Sequence, residues 1–159
     1  MPQPDRRPKS GSSNPLPPLG LFSMELSRNL RVESVARLKP APPLAIDDHR
    51  PVSEAVAAMR REKTGCLLVT RQGRLVGIFT ERDLLTRVLA SDLPDSVPMA
   101  ECLTANPVKV NPKDSVQTAI ERMESGGYRH LPVVDEANRP VGILSAQRVV
   151  HYLAEHCPA

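Results

Sequence analysis

The chain has very few aromatic residues: tryptophan is absent, and two Tyr and two Phe make up 3% of its 159 residues. A hydrophobic fraction of 40% still allows a packed core, which must then be built from aliphatic side chains. The sequence also lacks any apolar run of about 18 residues, which a membrane-spanning helix needs, and the unbroken apolar core of a signal peptide. We therefore expect a cytoplasmic protein that has no membrane partner.

Cysteines and catalytic patterns are equally scarce. Cys66, Cys102 and Cys157 are odd in number and form no Cys-x-x-Cys pair, which argues against a disulfide framework and for a reducing compartment. The four histidines show no metal-binding spacing, and no Ser–His–Asp set or carboxylate pair stands out. The sequence predicts no metal site, no required cofactor and no enzymatic activity. The aliphatic neighbours of Cys66 indicate a buried, inert thiol.

Charge is close to balanced, since 21 Lys and Arg face 18 Asp and Glu, for a formal net charge of +3 and a pI of about 9.0. A nucleic-acid binder would show a basic stripe with interleaved aromatics or a known reading motif, and the chain has neither. The small excess favours a solvated basic surface over a nucleic-acid partner. Nucleic-acid binding through the basic N-terminal segment stays open as an alternative.

Proline is the residue in excess, with 17 copies. Residues 1–30 are rich in Pro, Ser, Gly and Arg and show no apolar periodicity. Such a composition cannot bury enough apolar surface to offset the entropy of ordering. We therefore predict a disordered tail at 1–30, with a proline-rich docking peptide as the alternative.

The rest of the chain is a repeat. One pattern runs from residue 43 to 85 and again from 107 to 150, at a spacing of 64 residues that becomes 65 after one insertion in the loop "DEANRP". The equivalent pairs include Pro43/Pro107, Ile46/Val110, Val52/Val116, Ala55/Ala119 and Met59/Met123. We place the two units at 34–91 and 99–155, joined by a linker at 92–98.

Each unit predicts the order strand, helix, strand, strand, helix. The first helix carries apolar residues at helical spacing, and two apolar strands follow it, "CLLVT" to "LVGIF" and "HLPVV" to "PVGIL". A unit of ~55 residues buries too little surface to be stable alone. The sequence therefore predicts an α+β fold in which two tandem β-α-β-β-α units pack sheet against sheet as a pseudo-twofold pair.

The ends of the first helix in each unit can be predicted from capping residues. Pro51 suits the first turn of the helix in the first unit, and Asp114 or Ser115 can cap its counterpart. Gly65 and the pair Gly126–Gly127 are expected to end these two helices.

The last helix of each unit begins after a related motif, "GIFTERDLL" at 77–85 and "GILSAQRVV" at 142–150. Thr80 can cap its helix, whose N-terminus can also hold a phosphate. Asp83 can accept hydrogen bonds from both vicinal hydroxyls of a ribose. A capping box would explain both residues without a ligand, so the first motif is a candidate nucleotide site with helix capping as the alternative.

The first unit has the complete motif Gly-Ile-Phe-Thr-Glu-Arg-Asp at 77–83, and the second has "YRHLPVVD" at 128–135. With these motifs, the two units resemble a tandem cystathionine-β-synthase (CBS) domain pair over residues 34–155. The resemblance implies a homodimeric, regulatory and energy-sensing module that binds AMP, ADP, ATP or S-adenosylmethionine between the repeats and signals to a regulated protein. No other domain remains in the chain, which therefore resembles a stand-alone pair.

The same resemblance assigns site residues. In the family, the Thr and Asp of the motif hold phosphate and ribose, roles that fall here on Thr80 and Asp83. In the family the first strand of the partner repeat borders the base, which here is Asn106, Pro107 and Val108. The charge and position of other residues add the candidates Gly77, Ile78 and Arg82 in the motif, and Arg129 and His130, which could contact a ligand phosphate. Simpler alternatives are an exposed helix arginine for Arg82, a plain strand start for residues 106–108 and a packed strand histidine for His130.

The second unit keeps the hydroxyl as Ser145 but has Arg148 where the first has Asp83. A guanidinium accepts no hydrogen bond, so we predict a degenerate second site that does not hold a nucleoside in the usual way. Arg148 could instead pair with a phosphate or a carboxylate, or be an ordinary surface arginine. The alternative for the whole protein is a ligand-free dimerisation or protein-interaction module.

Overall fold

The described part of the chain begins before the first predicted unit. The computed structural model describes residues 28–156, so the predicted tail lies outside the described residues except for its last three. Those three belong to a short helix at residues 28–32. Leu30 packs against the core of the second unit, so the described chain already contributes to that core before residue 34.

The first unit follows the predicted order of elements. These are β1 (Ala45–Asp47), α1 (Val52–Glu62), β2 (Cys66–Arg71), β3 (Arg74–Thr80) and α2 (Glu81–Asp83, continued as a π-helix over Leu84–Leu89). The apolar stripe of α1 buries Val52, Ala55 and Met59 against the core. The predicted final helix is present, but most of it has the wider π-helical repeat.

The second unit keeps this order with a weaker first strand. Its elements are α3 (Val116–Gly126), β5 (His130–Val134), β6 (Pro140–Ser145) and α4 (Ala146–His156). The extended piece predicted around Val108 and Val110 is reduced to one bridge between Val110 and Val133. Pro112 stands where the first unit has Asp48, whose N–H donates to Thr70 O at 2.9 Å, and proline has no N–H to donate. The predicted α+β class with two tandem repeats is confirmed.

Each sheet receives an edge segment from the other unit. The strand β4 (Thr104–Ala105) lies near the start of the second unit, yet it pairs antiparallel with β3, so the first sheet has the order β1-β2-β3-β4. The second sheet, β5 with β6, likewise receives Ala41, which bridges Ile143. The two units therefore exchange edge strands across the pseudo-twofold axis.

The exchange includes the turns beside these strands. A 3₁₀ turn at Val35–Leu38 packs into the core of the second unit, and its counterpart at Met99–Glu101 packs into the core of the first. Val35 N donates to Asp114 O at 2.8 Å, and Met99 N donates to the equivalent Arg50 O at 2.9 Å. Neither core is complete without residues from the other half of the chain.

A third apolar cluster joins the two sheets. It consists of the buried residues Leu68, Leu75, Val134 and Ile143, with Ile78 packed against them. Asn138 adds a polar link, because its Nδ2 donates to Leu75 O at 3.0 Å and Leu75 N donates to Asn138 O at 2.9 Å. The two units therefore pack sheet against sheet, as predicted.

The ends of α1 differ from the predictions, whereas those of α3 agree with them. Pro51 stands just before α1 instead of in its first turn, and α1 ends at a left-handed Lys63 (φ 51°) before Gly65 is reached. The N–H of Lys63 donates to carbonyls of the last turn, which closes the helix without glycine. Ser115 caps α3 and Gly127 (φ 65°) ends it. No helix within residues 28–156 combines the length and apolar character needed to cross a membrane.

Candidate functional site

Thr80 and Asp83 form a reciprocal cap at the start of α2. The Thr80 hydroxyl oxygen accepts from Asp83 N at 3.3 Å, while Asp83 Oδ2 accepts from Thr80 N at 2.9 Å and from Thr80 Oγ1 at 3.1 Å. The capping box that was the alternative explanation of the motif is therefore present. It holds the carboxylate at the helix N-terminus, where a negative charge is favourable.

The second carboxylate oxygen of Asp83 faces the exchanged strand. Oδ1 accepts from Thr104 Oγ1 and from Arg87 Nε, each at 3.1 Å. Asp83 is only 8% exposed, whereas the Arg87 side chain is 49% exposed. A carboxylate offers about four acceptor positions, and all four are used here. A ligand hydroxyl can reach Oδ1 by replacing Arg87 or Thr104.

The motif glycines let the exchanged strands approach closely. A Cβ at Gly77 would lie 3.0 Å from Thr104 O, and a Cβ at Gly142 would lie 3.0 Å from Pro40 Cβ. Ile78, the residue after the first glycine, packs in the cluster between the sheets. Gly77 and Ile78 therefore have clear structural roles beside the site role predicted for them.

The other residues predicted for this site are less closely connected to it. Asn106 follows β4 in a left-handed conformation (φ 51°), and its N–H donates to Val76 O at 3.3 Å. Pro107 is half-buried, and Val108 packs against the core of the second unit. Arg82 is exposed on the first turn of α2. Within residues 28–156, none of these side chains forms a hydrogen bond or ion pair with the carboxylate.

Arg129 and His130 lie at the other cleft. His130 pairs with Ser145 across β5 and β6, and Arg129 O accepts from Ala146 N at 2.8 Å. The sequence had grouped both residues with the first motif, but the strand register places them beside the second. Burial, and then the Arg129 cation, lower the pKa of His130, so its imidazole is neutral near pH 7.

A cavity of about 510 Å³ opens at this second cleft. We name it the Arg148 cavity; its polar lining residues are Glu62, Thr64, His130, Ser145 and Arg148, and its apolar lining residues are Ile143 and residues 41–44. The Ser145 hydroxyl accepts from Arg148 N at 3.1 Å, which repeats half of the cap in the first unit. The two residues predicted for the degenerate site therefore line one cavity.

The position equivalent to His130 in the first unit is Cys66, which is fully buried and paired with Thr80 across β2 and β3. Burial, and then the charge of Asp83, raise the pKa of the Cys66 thiol to about 12. The thiol is thus protonated and buried, as predicted. Cys102 is also buried and unpaired, and burial raises its pKa.

One group with metal-ligand chemistry was not predicted. Asp47, Asp48 and His49 bring three ligand atoms within 4.8 Å of one another. Their carboxylates already have partners, because Asp47 Oδ1 contacts the His49 ring and Asp48 Oδ2 accepts from Arg71 Nε at 2.7 Å. A hydrogen bond from the backbone of His49 lowers the pKa of Asp47. These pairs account for the turn, and we assign no function to it.

Arg87 and Thr104, which complete the hydrogen bonding of Asp83, were missed from the sequence. Asp83 and Arg87 are four residues apart on a helix, and that spacing could have indicated an ion pair. Thr104 gave no comparable signal, because its contact depends on the exchange of β4 between the units.

Both repeats match a known domain. The family profile described as the CBS domain matches residues 33–90 and 99–155. The chain belongs to the CBS domain family. Its structural neighbours are CBS domain pairs, and CBS pair proteins are generally regulatory rather than catalytic.

Relatives of this CBS pair include a protein of Schizosaccharomyces pombe and two proteins of known structure. The meiotically up-regulated gene 70 protein of Schizosaccharomyces pombe is 36% identical over 104 residues, which cover 65% of this chain and 14% of that protein. The CBS domain protein PAE2072 of Pyrobaculum aerophilum, solved in complex with AMP, has a TM-score of 0.68 at 25% identity and covers 77% of this chain and 98% of its own. The CBS pair of MJ0100, solved with 5′-methylthioadenosine and S-adenosyl-L-methionine, has a TM-score of 0.69 at 22% identity over 77% of this chain and 97% of its own, and supports the fold alone.

The curated relatives are mostly much longer than this chain. The chain spans 14% to 24% of the length of the first four that it matches. The likeness therefore concerns the CBS pair and not the whole activity of those proteins.

Proposed function

We propose that this CBS pair is a regulatory module that binds an adenosine-type ligand at Thr80 and Asp83 and signals its presence to a partner protein. The ligand would be AMP, ADP, ATP or S-adenosylmethionine, and the module would need no resident cofactor and no catalytic activity. Support comes from a carboxylate held at a helix N-terminus between the two repeats and from the AMP bound by the Pyrobaculum relative.

The hydrogen bonds at Asp83 Oδ1 carry the proposal. The Arg87 side chain is 49% exposed, so water screens its ion pair, and such pairs contribute about 1 kcal/mol or less. A ribose brings two hydroxyl donors that a carboxylate accepts well. When they replace Arg87 and Thr104, the released guanidinium can pair with a ligand phosphate.

The replacement of Thr104 by a ligand hydroxyl also provides a route for signalling. Thr104 belongs to β4, the strand that the second repeat contributes to the first sheet. A ligand hydroxyl that replaces the Thr104–Asp83 hydrogen bond changes a contact between the two halves. Ligand binding can then shift the population of one arrangement of the repeats, which a partner recognises.

Thermal denaturation with AMP, ADP, ATP and S-adenosylmethionine tests this function. Ligand at 100-fold above its Kd stabilises the folded state by about 2.7 kcal/mol, which raises Tm. We expect Asp83→Ala to abolish the shift while the free variant stays folded. The matched control is Arg148→Ala, the equivalent position of the other repeat, which should keep the Asp83-dependent shift. No shift with any of the four compounds at millimolar concentration would refute the proposal.

A ligand-free dimerisation or interaction module is the second candidate function. Leu85 and Leu89 are 59% and 61% exposed on α2, and Val150, which is equivalent to Leu85, is 63% exposed on α4. Large exposed apolar side chains, such as Leu85 and Leu89 four residues apart on one helix, are typical of interaction surfaces. A second copy of the chain suits this surface, because identical faces can pair about a twofold axis.

Sedimentation equilibrium tests the dimer. Leu85→Lys should weaken association, since it places a charge in the interface, whereas Val141→Lys, at a side chain 46% exposed on β6, should not. Wild-type protein that stays monomeric at micromolar concentrations would refute this candidate.

The proposal keeps the cytoplasmic location predicted from the cysteines, and the buried free thiols of Cys66 and Cys102 are compatible with it. It also assigns no nucleic-acid partner. Deletion of residues 1–23 and measurement of duplex DNA binding at two salt concentrations tests the basic-tail alternative, because phosphate contacts weaken steeply with salt.

A further inference from the structure

Arg87 is the most exposed of the donors that reach the Asp83 carboxylate. Oδ2 accepts from the backbone and the hydroxyl of Thr80, and Oδ1 accepts from Thr104 Oγ1 and Arg87 Nε. Thr80 and Thr104 are half-buried residues of β3 and β4, whereas the Arg87 side chain is 49% exposed. Arg87 is therefore the donor that a ligand hydroxyl can replace without moving a strand.

The position of Arg87 depends on the π-helical form of α2. At the equivalent position of the regular α-helix α4 stands Tyr152, which is only 8% exposed and packs in the core of the second unit. In α2, where Leu84–Leu89 are π-helical, the buried residue is the next one, Val88. The wider turn moves the core-facing position from residue 87 to residue 88, so Arg87 stays outside the core and reaches back to Asp83. Such π-helical turns are frequent at functional sites.

The pair Asp83–Arg87 differs from an ordinary ion pair at a helix surface. Arg50 and Glu54, at the start of α1, lie 2.6 Å apart and have side chains that are 50% and 43% exposed, so water can reach both. The side chain of Asp83 is only 12% exposed. A buried acceptor that loses its donor is destabilising, so the position at Oδ1 has to be filled by Arg87 or by a group that replaces it. Binding of a ribose at Asp83 is therefore a competition with Arg87.

A displaced Arg87 has no second partner in the described part of the chain. Among residues 28–156, Asp83 is the only group that forms an ion pair or a hydrogen bond with the Arg87 side chain. The released guanidinium matches a phosphate group well, because it can donate two parallel hydrogen bonds to it. The arginine side chain is long and can turn from the ribose hydroxyls to a group on the 5′ carbon of the same nucleoside.

The group on the 5′ carbon therefore decides how well each candidate ligand compensates for the lost ion pair. AMP, ADP and ATP carry phosphate there, which gives Arg87 a new partner. Adenosine carries a neutral hydroxyl, which leaves the guanidinium without an anion. S-adenosylmethionine carries a sulfonium cation, which repels the guanidinium.

We propose that Arg87 is a competing donor that makes the Asp83 site selective for nucleosides with a 5′ phosphate. In the unliganded protein it occupies the acceptor that a ribose needs, and in the complex it pairs with the phosphate. The inference rests on the function proposed for Thr80 and Asp83, and it narrows the ligands to AMP, ADP and ATP at the expense of S-adenosylmethionine. The second repeat has Tyr152 at the equivalent position and lacks this selection.

Isothermal calorimetry of the full chain with AMP and with adenosine tests the proposal, because the two compounds differ only in the phosphate. Adenosine should bind Arg87→Ala up to about fivefold more tightly than it binds the wild type, the factor for loss of a half-exposed competing ion pair. AMP loses its phosphate partner in the same variant. The ratio of the AMP and adenosine affinities should therefore fall by roughly tenfold or more, the factor for one charge-assisted hydrogen bond.

The matched control is Arg50→Ala, which removes an ion pair of the same exposure and should change neither affinity. Arg87→Lys keeps the charge without the planar fork and should retain part of the preference for AMP. Adenosine has no charge, so its affinity for the wild type should rise with ionic strength, as salt screens the competing pair, more steeply than its affinity for Arg87→Ala. Far-UV circular dichroism checks that each variant is folded.

Three outcomes would overturn the proposal: an unchanged affinity ratio in Arg87→Ala, adenosine binding that is no tighter or is absent in Arg87→Ala, and S-adenosylmethionine binding the wild type more tightly than AMP. If one of these occurs while Asp83→Ala still abolishes the ligand response, only the role of Arg87 fails and the function proposed for Asp83 stands. If AMP, ADP, ATP, adenosine and S-adenosylmethionine all fail to bind at millimolar concentration, the proposed function fails and the role of Arg87 fails with it.

Discussion

The helices α2 and α4 begin in equivalent places in the two repeats, and they share a cap but not a site. Thr80 and Ser145 both accept from the N–H three residues further on, at 3.3 and 3.1 Å. That residue is Asp83 in the first repeat and Arg148 in the second. The hydroxyl alone is thus enough to start the helix, and the acid in the first repeat adds the second half of a capping box.

The residues that surround Asp83 differ from those that surround Arg148. Asp83 is held by Arg87 and Thr104, and the equivalent positions around Arg148 are Tyr152 and Pro40. Donors from both halves of the chain therefore satisfy the carboxylate of Asp83, while the guanidinium of Arg148 is left beside an open cavity. The comparison teaches that pseudo-symmetry of the backbone does not imply equivalence of the two clefts.

The largest expected effect tests whether the two repeats fold as one unit. Phe79 and Leu144 occupy equivalent positions and are both fully buried, each in its own core. Phe79→Ala should cost about 3–5 kcal/mol and Leu144→Ala about 2–5 kcal/mol. Because each core contains a turn from the other half, both variants should lower one common transition in urea, followed by circular dichroism since the chain has no tryptophan.

Two separate transitions, in which one repeat keeps wild-type stability, would show that the exchanged segments do not couple the cores. Gln147→Ala serves as the control, since this side chain is exposed at the start of α4 and its loss should change the free energy of unfolding by less than about 0.5 kcal/mol.

A smaller effect should separate the two helix starts. Asp83→Ala removes the reciprocal half of the capping box and leaves the Thr104 hydroxyl without its acceptor, which should cost about 1–3 kcal/mol. Arg148→Ala removes an exposed side chain without a partner in residues 28–156 and should stay within about 0.5 kcal/mol. Denaturant titration of the unliganded protein measures both. Equal losses would mean that the carboxylate network contributes nothing to the fold, and Asp83→Asn should fall between the two variants because it retains an acceptor.

Local sequence patterns predicted the elements of this fold, but they did not predict the exchange of edge segments between the two units. The 64-residue repeat, the apolar stripe of α1 and the Thr80–Asp83 capping box depend on neighbours along the chain, so their signals are visible in the sequence. The pairing of β4 with β3 and of Ala41 with β6 joins segments from opposite halves, and no periodicity records it. For the same reason Thr104 was missed. The grouping of His130 with the first motif has a different origin, because its pairing with Ser145 lies within the local hairpin of β5 and β6.

Replacement of Arg148 by an acid should make the second helix start resemble the first. Arg148→Asp replaces a cation with an anion at the third residue of α4, and the interaction with the helix dipole should raise stability by about 0.3–1 kcal/mol at low salt, a gain that should shrink as salt is added. Calorimetry with AMP then shows whether a ribose-compatible site has appeared, with Arg148→Asn as the uncharged control. Unchanged stoichiometry and affinity would show that Arg148 is not what keeps a ribose out of the second cleft.

The smallest expected effect uses the pair Cys66 and His130, which occupy equivalent strand positions but differ in titration. Burial, followed by Arg129, lowers the pKa of His130 below its ordinary 6.5, so the unfolded chain binds a proton more readily than the folded chain does. The stabilisation is fully present above about pH 6.5 and is lost as pH falls from there through the lower folded-state pKa. The Cys66 thiol, with a pKa of about 12, stays neutral throughout and contributes no such dependence.

Between pH 7.5 and 5.5, Tm of the wild type should therefore fall more steeply than that of His130→Gln. Asp47 and Asp135, whose pKa values are lowered by hydrogen bonds from His49 and Arg139, lose their stabilisation only at more acidic pH and should not obscure the difference. Parallel curves would mean that His130 is protonated as easily in the folded protein as in the unfolded chain.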